Sequence, residues 1–266
     1  ELKEAEKRYL PGAEVAPCAV ILAASRGKEL GALTEDKPKV MIEVSGKPLL
    51  SHIAETYNQV GIKKLVVVRG YMKETVNVPG LDYVDNDRHD STGELVSLKV
   101  ALDHLGGPHG NLGTDMVVSY GDVLFNKYIL YLLEEPGEDF VVTVDADWHN
   151  SRNAGREADW AVCSQPNSRA AFSTNVNLRR LGDDIQEASI HGEWMGFLKV
   201  SAKGFPIITT ALDKLLSSPE QQQFKMPDLI NLLIEDGNTI RVIYTTGHWL
   251  DIDAVEDLVA AGDFNA

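Results

Sequence analysis

Arg26, Lys28, Lys37 and Lys39 fall within residues 26–39, interleaved with Gly27 and Gly31. Glycine lets a backbone approach an anion closely and turn its N–H groups toward it. Lysine and arginine add charge, so this spacing can cradle phosphates. No G-x-x-x-x-G-K-[ST] and no G-x-G-x-x-G occurs, and read alone the stretch is equally a basic surface loop. Asp122 follows Gly121 after an apolar run, where the end of a parallel strand would face a ligand crevice. Asp251 and Asp253 are spaced i, i+2, which on an extended segment puts both on one face, able to share a hard cation. Each also has a structural reading: Asp122 as a cap for a helix near Asn126, Asp253 as a cap for the last helix. Asp145 and Asp147 form another D-x-D after an apolar run, the pattern of a metal-dependent glycosyltransferase or a plain structural pair. Further along, Glu193 can take an amine, and Trp160 or Trp194 can wall a cation–π box, with Asn175 nearby. A core tryptophan and a solvated glutamate are equally good readings. His89, His104 and His109 lack metal-ligand spacing. No Ser-His-Asp or Cys-His set stands out, so covalent catalysis is not favoured.

Such side chains need a rigid frame. Cys18 to Ala24 (CAVILAA) is short, wholly apolar and flanked by breakers, which favours a buried parallel strand. Leu65 to Val68, Met116 to Ser119 and Phe140 to Val144 repeat that pattern. Between them, apolar residues at 49, 50, 53, 54, 57 and 60, and at 95, 98, 101, 102 and 105, follow a helical period. Alternating strand and helix predicts an α/β fold, a mainly parallel mixed sheet with helices on both faces. Residues 157–200 predict an inserted antiparallel β region beside or over that sheet. Helices are expected at 204–216, 227–234 and 254–261, with a strand at 239–244.

The chain has 266 residues, 44% hydrophobic and 24% charged, an ordinary globular composition. The 25 Lys+Arg against 40 Asp+Glu leave a net charge of −15. That field disfavours polyanionic nucleic acids and anionic membranes, while a small anion can still bind where cations are gathered. Two cysteines, Cys18 and Cys163, exclude a disulfide framework and a cysteine-rich zinc site. No apolar run approaches the ~20 residues of a membrane span. With two thiols and no apolar core near the N-terminus, the expected compartment is the cytoplasm.

Several ordered motifs resemble one family. LAASRGKELGALTEDKPKVMIEVSGKPLL (22–50) is similar to L-A-A-G-x-G-S-R-L-x-x-L-T-x-x-x-P-K followed by G-K-P-L. This is the signature of the nucleotidyltransferases that activate sugar phosphates, phosphocholine and phosphonates. VDNDRHDSTGELVSL (84–98) resembles their base-binding segment, SYGDVLF (119–125) their metal-binding strand end, and GHWLDIDAVEDL (247–258) their closing motif. The likeness is strongest to the phosphonate cytidylyltransferases, some of which are fused behind a phosphoenolpyruvate mutase. EAEKRYLP near the start resembles such a junction. Residues 1–17 are therefore expected to be a linker or the tail of a preceding domain, and 18–266 the nucleotidyltransferase domain.

The resemblance implies a Rossmann-like fold of the nucleotide-diphospho-sugar transferase type. It places Lys39, Arg26 and Lys28 on the phosphates. Leu22, Ala23, Ala24, Ser25, Gly27, Lys47, Asn86, Thr92, Gly93 and Ser97 would surround the nucleotide. Asp122, Asp251 and Asp253 would be Mg²⁺ ligands, with Trp160, Asn175, Glu193 and Trp194 toward the acceptor. Two positions depart from the pattern: Ser25 stands where the family has glycine, and Glu29 where an arginine commonly meets the triphosphate. The implied reaction joins CMP from CTP to a small phosphonate and releases pyrophosphate. A phosphocholine or sugar-1-phosphate nucleotidyltransferase is the alternative. An idle nucleotide-binding module is a third reading.

Overall fold

The structure is a computed structural model that describes residues 16–106, 110, 112–151, 153, 156, 158–168, 175–217 and 222–264. Of the expected linker, residues 1–15 lie outside the described residues, as does His109. The strands are β1 (Cys18–Ala23), β2 (Glu43–Val44), β3 (Lys47–Pro48), β4 (Lys64–Arg69), β5 (Asp82–Asp85), β6 (Met116–Tyr120) and β7 (Val123–Phe125). They continue as β8 (Phe140–Asp145), β9 (Trp160–Cys163), β10 (Leu178–Gly182), β11 (Gly192–Val200), β12 (Ile240–Thr245) and β13 (Trp249–Asp251). The helices are α1 (Leu49–Gln59), α2 (Glu94–Gly106), α3 (Tyr128–Glu134), α4 (Gly204–Leu215), α5 (Met226–Glu235) and α6 (Val255–Gly262).

β1 is the central strand. It pairs in parallel with β4 on one side (Ile21 opposite Val67) and β6 on the other (Ile21 opposite Ser119). All six of its residues are buried because alternate side chains feed two different cores. Cys18, Val20 and Leu22 pack with Leu95, Leu98 and Leu102 of α2. Ala19, Ile21 and Ala23 pack with Leu49, Leu50, Ile53 and Tyr57 of α1. Burying one such leucine or isoleucine contributes about 1.5–3 kcal/mol. The helix spacing in the sequence thus corresponds to helices covering opposite faces of the sheet, as expected.

β4 continues in parallel to β5. On the far side β11 pairs antiparallel with both β6 and β8, and β8 pairs in parallel with β12. β9 pairs antiparallel with the start of β11 and with β10. The expected antiparallel region is therefore present, but it is not merely laid beside the sheet. β11 runs inside it, buried along its whole length. Its register shifts between Trp194 and Leu198, at Gly196 with φ +81°. A Cβ there would sit 2.6 Å from the Tyr120 ring, so this bend requires glycine.

From β1 the chain first builds outward through β4 and β5, then returns to place β6 on the other side. That reversal leaves a crevice at the carboxyl ends of β1 and β6, the usual ligand position in such sheets. Among the described residues, no helix is long and apolar enough to cross a membrane.

Candidate active site

Immediately past β1 the chain forms the loop that carries the basic residues. Gly27 has φ +76°, and a Cβ there would lie 2.7 Å from the Lys39 Cβ. Glycine is thus required twice, by the backbone angle and by the lysine stem lying against it. Gly31 is also left-handed, at φ +56°. Ser25, where the family has glycine, is not among the positive-φ residues, so the side chain there strains nothing. Arg26 ties the loop to itself: its Nε donates to the Thr34 carbonyl (3.1 Å), and its guanidinium lies 5.6 Å over the Tyr71 ring. Lys28 is exposed. The stretch is therefore an internally bonded cradle, with Thr34 Oγ1 donating to the Gly27 carbonyl at 2.9 Å.

Lys39 follows extended Pro38 (φ −73°, ψ 158°) and is only 2% exposed. Its Nζ lies 2.6 Å from Asp253 Oδ1, 3.0 Å from Asp122 Oδ2 and 2.8 Å from Glu29 Oε1. Burial works against its charge, but Asp122, Asp251 and Asp253 outweigh that and hold its pKa raised. Glu29, the second departure, thus pairs with the lysine.

Three short pieces of backbone deliver the carboxylates. Asp122 lies between β6 and β7. β7 pairs antiparallel with β13, Val123 opposite Asp251, which brings the closing motif beside it. The Ile252 N–H donates to the Asp122 carbonyl at 3.1 Å. Asp253 does not cap the last helix: Ala254 is the N-cap residue, and Asp257 Oδ2 reaches back to the Asp253 and Ala254 N–H groups (2.9 and 2.7 Å). Nor does Asp122 cap α3, whose N-cap is Lys127. Both side chains are left free for the cleft.

One oxygen of each of Asp122, Asp251 and Asp253 lies within 4.8 Å of the others. Burial first, then Asp122 and Asp253, push the Asp251 carboxyl well above its ordinary range. Crowded carboxylates of this kind suit a hard, oxygen-liganded divalent cation such as Mg²⁺, which would relieve their repulsion.

Sequence reasoning missed the groups that hold this motif. Arg156 Nη1 donates to the Asp251 carbonyl (2.7 Å), and Nη2 pairs with Asp257. Asn153 Oδ1 accepts from the Asp251 N–H at 3.1 Å. Both come from a polar stretch without periodicity, which carries no signal in a single sequence.

The site opens into a cleft of about 610 Å³. Lys39, Asp122, Asp251, Asp253, Glu29, Glu193 and Trp194 line it, together with Glu94, Tyr120, Arg156, Asp159, Asp183 and Lys225. Glu193 is 5% exposed and its Oε2 has no hydrogen-bond partner among the described residues. Burial, then Asp145 and Asp159, push its carboxyl up to about 8 against the pull of Arg156. Burial and Glu94 push Asp159 up to about 6, opposed by Lys225.

Between pH 4.5, the ordinary glutamate value, and pH 8, folded Glu193 keeps a proton that the unfolded chain has released. The ligand-free protein must therefore lose stability as pH rises through that window. Glu193→Gln is expected to stabilise it by about 2–4 kcal/mol at pH 8 and scarcely at pH 5, several degrees of Tm. Thermal unfolding of both proteins at the two pH values checks this.

Other expected site residues lie elsewhere. Lys47 is the exposed first residue of β3, its Nζ 2.8 Å from Glu55 Oε1, and does not line the cleft. Trp160 does not line it either, its ring packing on Trp148 at 4.7 Å. Asn175 is exposed and outside the cleft. Asn86 is buried, its Nδ2 donating to Thr92 Oγ1 (3.1 Å) and Ser97 Oγ (3.0 Å), which joins the three into one cluster. The Gly93 N–H donates to the Gln222 carbonyl at 2.6 Å. Chain from 222–224 packs so closely there that a Cβ on Gly93 would meet the Phe224 carbonyl at 2.6 Å. Leu22 and Ala24 contribute backbone: their carbonyls accept from the Gly121 (2.8 Å) and Tyr71 (2.9 Å) N–H groups. Ala23 is buried in the α1-side core. Asp145 is structural, its Oδ2 accepting from Trp249 Nε1 (2.8 Å) and the Gly247 N–H, its Oδ1 from the Asp147 N–H.

Comparison with known proteins bears on the family and the fold. The chain is 29% identical over 250 residues to the UTP–glucose-1-phosphate uridylyltransferase AglF of Haloferax volcanii, covering 90% of this chain and 92% of that protein. It is 24% identical to the CTP:phosphoglutamine cytidylyltransferase of Campylobacter jejuni, covering 90% and 97%. Its fold matches the inositol-1-phosphate CTP transferase of T. maritima with a TM-score of 0.70 at 19% identity, over 93% of both chains. A UDP-glucose pyrophosphorylase complexed with UDP-glucose also gives 0.70, at 13% identity, over 94% and 98%. The model of the MobA-like NTP transferase domain matches residues 19–199, from the start of β1 through β11. With that span and this cleft, the chain belongs to the MobA-like NTP transferase family.

Proposed function

We propose that the protein transfers CMP from CTP to a small phosphonate, releasing pyrophosphate. The observation that carries this reading is Lys39, buried between Asp122 and Asp253 at the floor of a cleft at the sheet's switch point. The CTP-using relatives support the nucleotide. The order of the motifs at 22–50, 84–98, 119–125 and 247–258 supports nucleotidyl transfer to a phosphate-type acceptor.

In this reaction a phosphonate oxygen attacks the α-phosphorus, and the bond from that phosphorus to the bridging oxygen of pyrophosphate breaks. A phosphate-type second ionisation lies near a pKa of about 6, so the nucleophile is already charged at neutral pH and needs no general base. The difficulty is repulsion between two anions. Lys39 offers a fixed positive charge, and the cradle at 25–31 positions the phosphates. Asp122, Asp251 and Asp253 would hold Mg²⁺, which when bound supplies further neutralisation of phosphate oxygens. Substrates of this kind are soluble small molecules, which suits a cytoplasmic enzyme. A phosphonate acceptor must come from an enzyme that forms a phosphorus–carbon bond.

The test is pyrophosphate release with each of four nucleoside triphosphates against 2-aminoethylphosphonate, 2-hydroxyethylphosphonate, phosphocholine and glucose 1-phosphate. Turnover of CTP with a phosphonate is expected to dominate. A preference for UTP with glucose 1-phosphate would instead support the sugar-phosphate reading, which the 29% identity to the uridylyltransferase favours. No turnover in any combination with Mg²⁺ present would leave only a nucleotide-binding module.

A further inference from the structure

We propose that Glu29 is a positioning residue for Lys39: it keeps the ammonium in place when a divalent cation takes over Asp122 and Asp253. The inference rests on the reading of Asp122, Asp251 and Asp253 as a metal cluster and extends to a residue outside that cluster. In the metal-free protein Lys39 Nζ donates to Asp253 Oδ1 (2.6 Å) and Asp122 Oδ2 (3.0 Å). The same two carboxylates belong to the cluster whose oxygens converge within 4.8 Å. A divalent cation and an ammonium on shared carboxylates repel each other, and lone pairs given to the metal are poorer acceptors for N–H groups. Among the described residues Nζ has three ion-pair partners, and only Glu29, its Oε1 2.8 Å away, stands outside the cluster. It is the partner that metal entry leaves to the lysine.

The backbone holds Glu29 for this purpose. The Lys39 N–H donates to the Arg26 carbonyl at 3.1 Å, which ties the loop carrying Glu29 to the main chain of the lysine itself. The Gly27 carbonyl accepts from the Leu30 N–H at 3.2 Å and from Thr34 Oγ1 at 2.9 Å. Leu30, next in the chain after Glu29, is buried. The carboxylate therefore stands on a short turn anchored at both ends.

Exposure argues against a role for Glu29 in the metal-free fold. Its side chain is 43% exposed, and an ion pair so open to water contributes little to stability. The lysine charge is sustained there by Asp122, Asp251 and Asp253. The departure from the family's arginine then has a physical sense. An arginine at 29 would set a like charge beside Lys39 instead of a partner. Glutamate gives up one phosphate contact and secures the cation that remains.

The experiment is titration of the substrate-free protein with Mn²⁺ alone, the free ion being read by its electron paramagnetic resonance signal. Mn²⁺ takes the same carboxylate and water oxygens as Mg²⁺. The variants are Glu29→Gln, Lys39→Met and the two together, with Asp251→Asn marking which binding belongs to the cluster. If the Lys39→Met chain does not fold, Lys39→Gln takes its place in the cycle. Lys39→Met is expected to bind Mn²⁺ more tightly than the wild type, because the competing ammonium is gone. Glu29→Gln should bind about tenfold more weakly when Lys39 is present, and less than about threefold more weakly in the Lys39→Met background. Its Tm in EDTA should stay within about 2 °C of the wild type, which separates positioning from a folding defect. Equal losses in the two backgrounds would make Glu29 a direct ligand or a through-space charge and overturn the proposal, as would unchanged affinity in Glu29→Gln. An Asp251-dependent site without this coupling removes only the role of Glu29. Absence of any such site in the wild type removes the cluster reading, and the proposal with it.

Discussion

Asp122→Asn is expected to cut kcat/KM by about 10³-fold while leaving the metal-free protein at least as stable as the wild type. The two effects have one cause. Asp122, Asp251 and Asp253 converge to within 4.8 Å, and the charge of Asp122 is the largest influence on Asp251 after burial. In the metal-free protein an amide at 122 relieves that repulsion and can still accept a hydrogen bond from Lys39, 3.0 Å away. The function needs the opposite. A bound cation stabilises developing charge by several kcal/mol, and each 1.4 kcal/mol is about tenfold in rate. Losing one ligand of three therefore removes orders of magnitude. Three measurements separate the effects: steady-state kinetics, Tm in EDTA, and the increase in Tm on adding Mg²⁺. The variant should match the wild type in the second and lose most of the third. Wild-type turnover by Asp122→Asn at saturating Mg²⁺ would falsify the role of this carboxylate.

How far these sites were readable follows from what each residue packs against. β1 was legible because CAVILA is buried on both faces, which requires an unbroken apolar run. α1 and α2 were legible because each covers one face of the sheet, which imposes a helical period. Asp122 was legible as a strand-end acid because β6 (MVVSY) opens with a buried apolar run. The rest depended on distant pairing. β7 and β13 are three residues each, too short for a period to show, yet their ladder brings Asp251 beside Asp122.

β11 (GEWMGFLKV) was read as peripheral because it carries Glu193, Gly196 and Lys199. Each polar residue has a local reason to be buried. Lys199 Nζ lies 3.1 Å from Asp115 Oδ2, Gly196 makes the bend, and Glu193 faces the cleft. The basic loop left two readings open, a phosphate cradle and a basic surface loop; in the fold Lys39 is buried and Arg26 is bonded to the loop itself.

Lys39→Met should be the more damaging change, and its two losses should respond differently to Mg²⁺. The ammonium is itself buried and is the counterion of Asp122, Asp253 and Glu29, whose carboxylates are partly exposed to the cleft. Methionine fills the space beneath Gly27 but leaves those carboxylates facing one another. Removing one partner of a buried ion pair costs about 3–5 kcal/mol. Because the lysine pKa is raised in the fold, that contribution is fully present from above the carboxylate range up to the ordinary lysine range, which includes neutral pH. Tm in EDTA at pH 7.5 should therefore fall by roughly 10 °C.

Added Mg²⁺ should restore much of that Tm, since a divalent cation among the carboxylates replaces the lost charge. It should not restore catalysis, because the fixed charge at Nζ that meets the phosphates is gone, and kcat/KM should stay down by about 10³-fold or more. Lys39→Arg should not rescue either: the stem already lies against Gly27, and a planar guanidinium is not a compact ammonium. If Mg²⁺ returned both Tm and kcat/KM to wild-type values in Lys39→Met, the lysine would be a structural counterion alone. The electrostatic account of the reaction would then rest on the carboxylates without it.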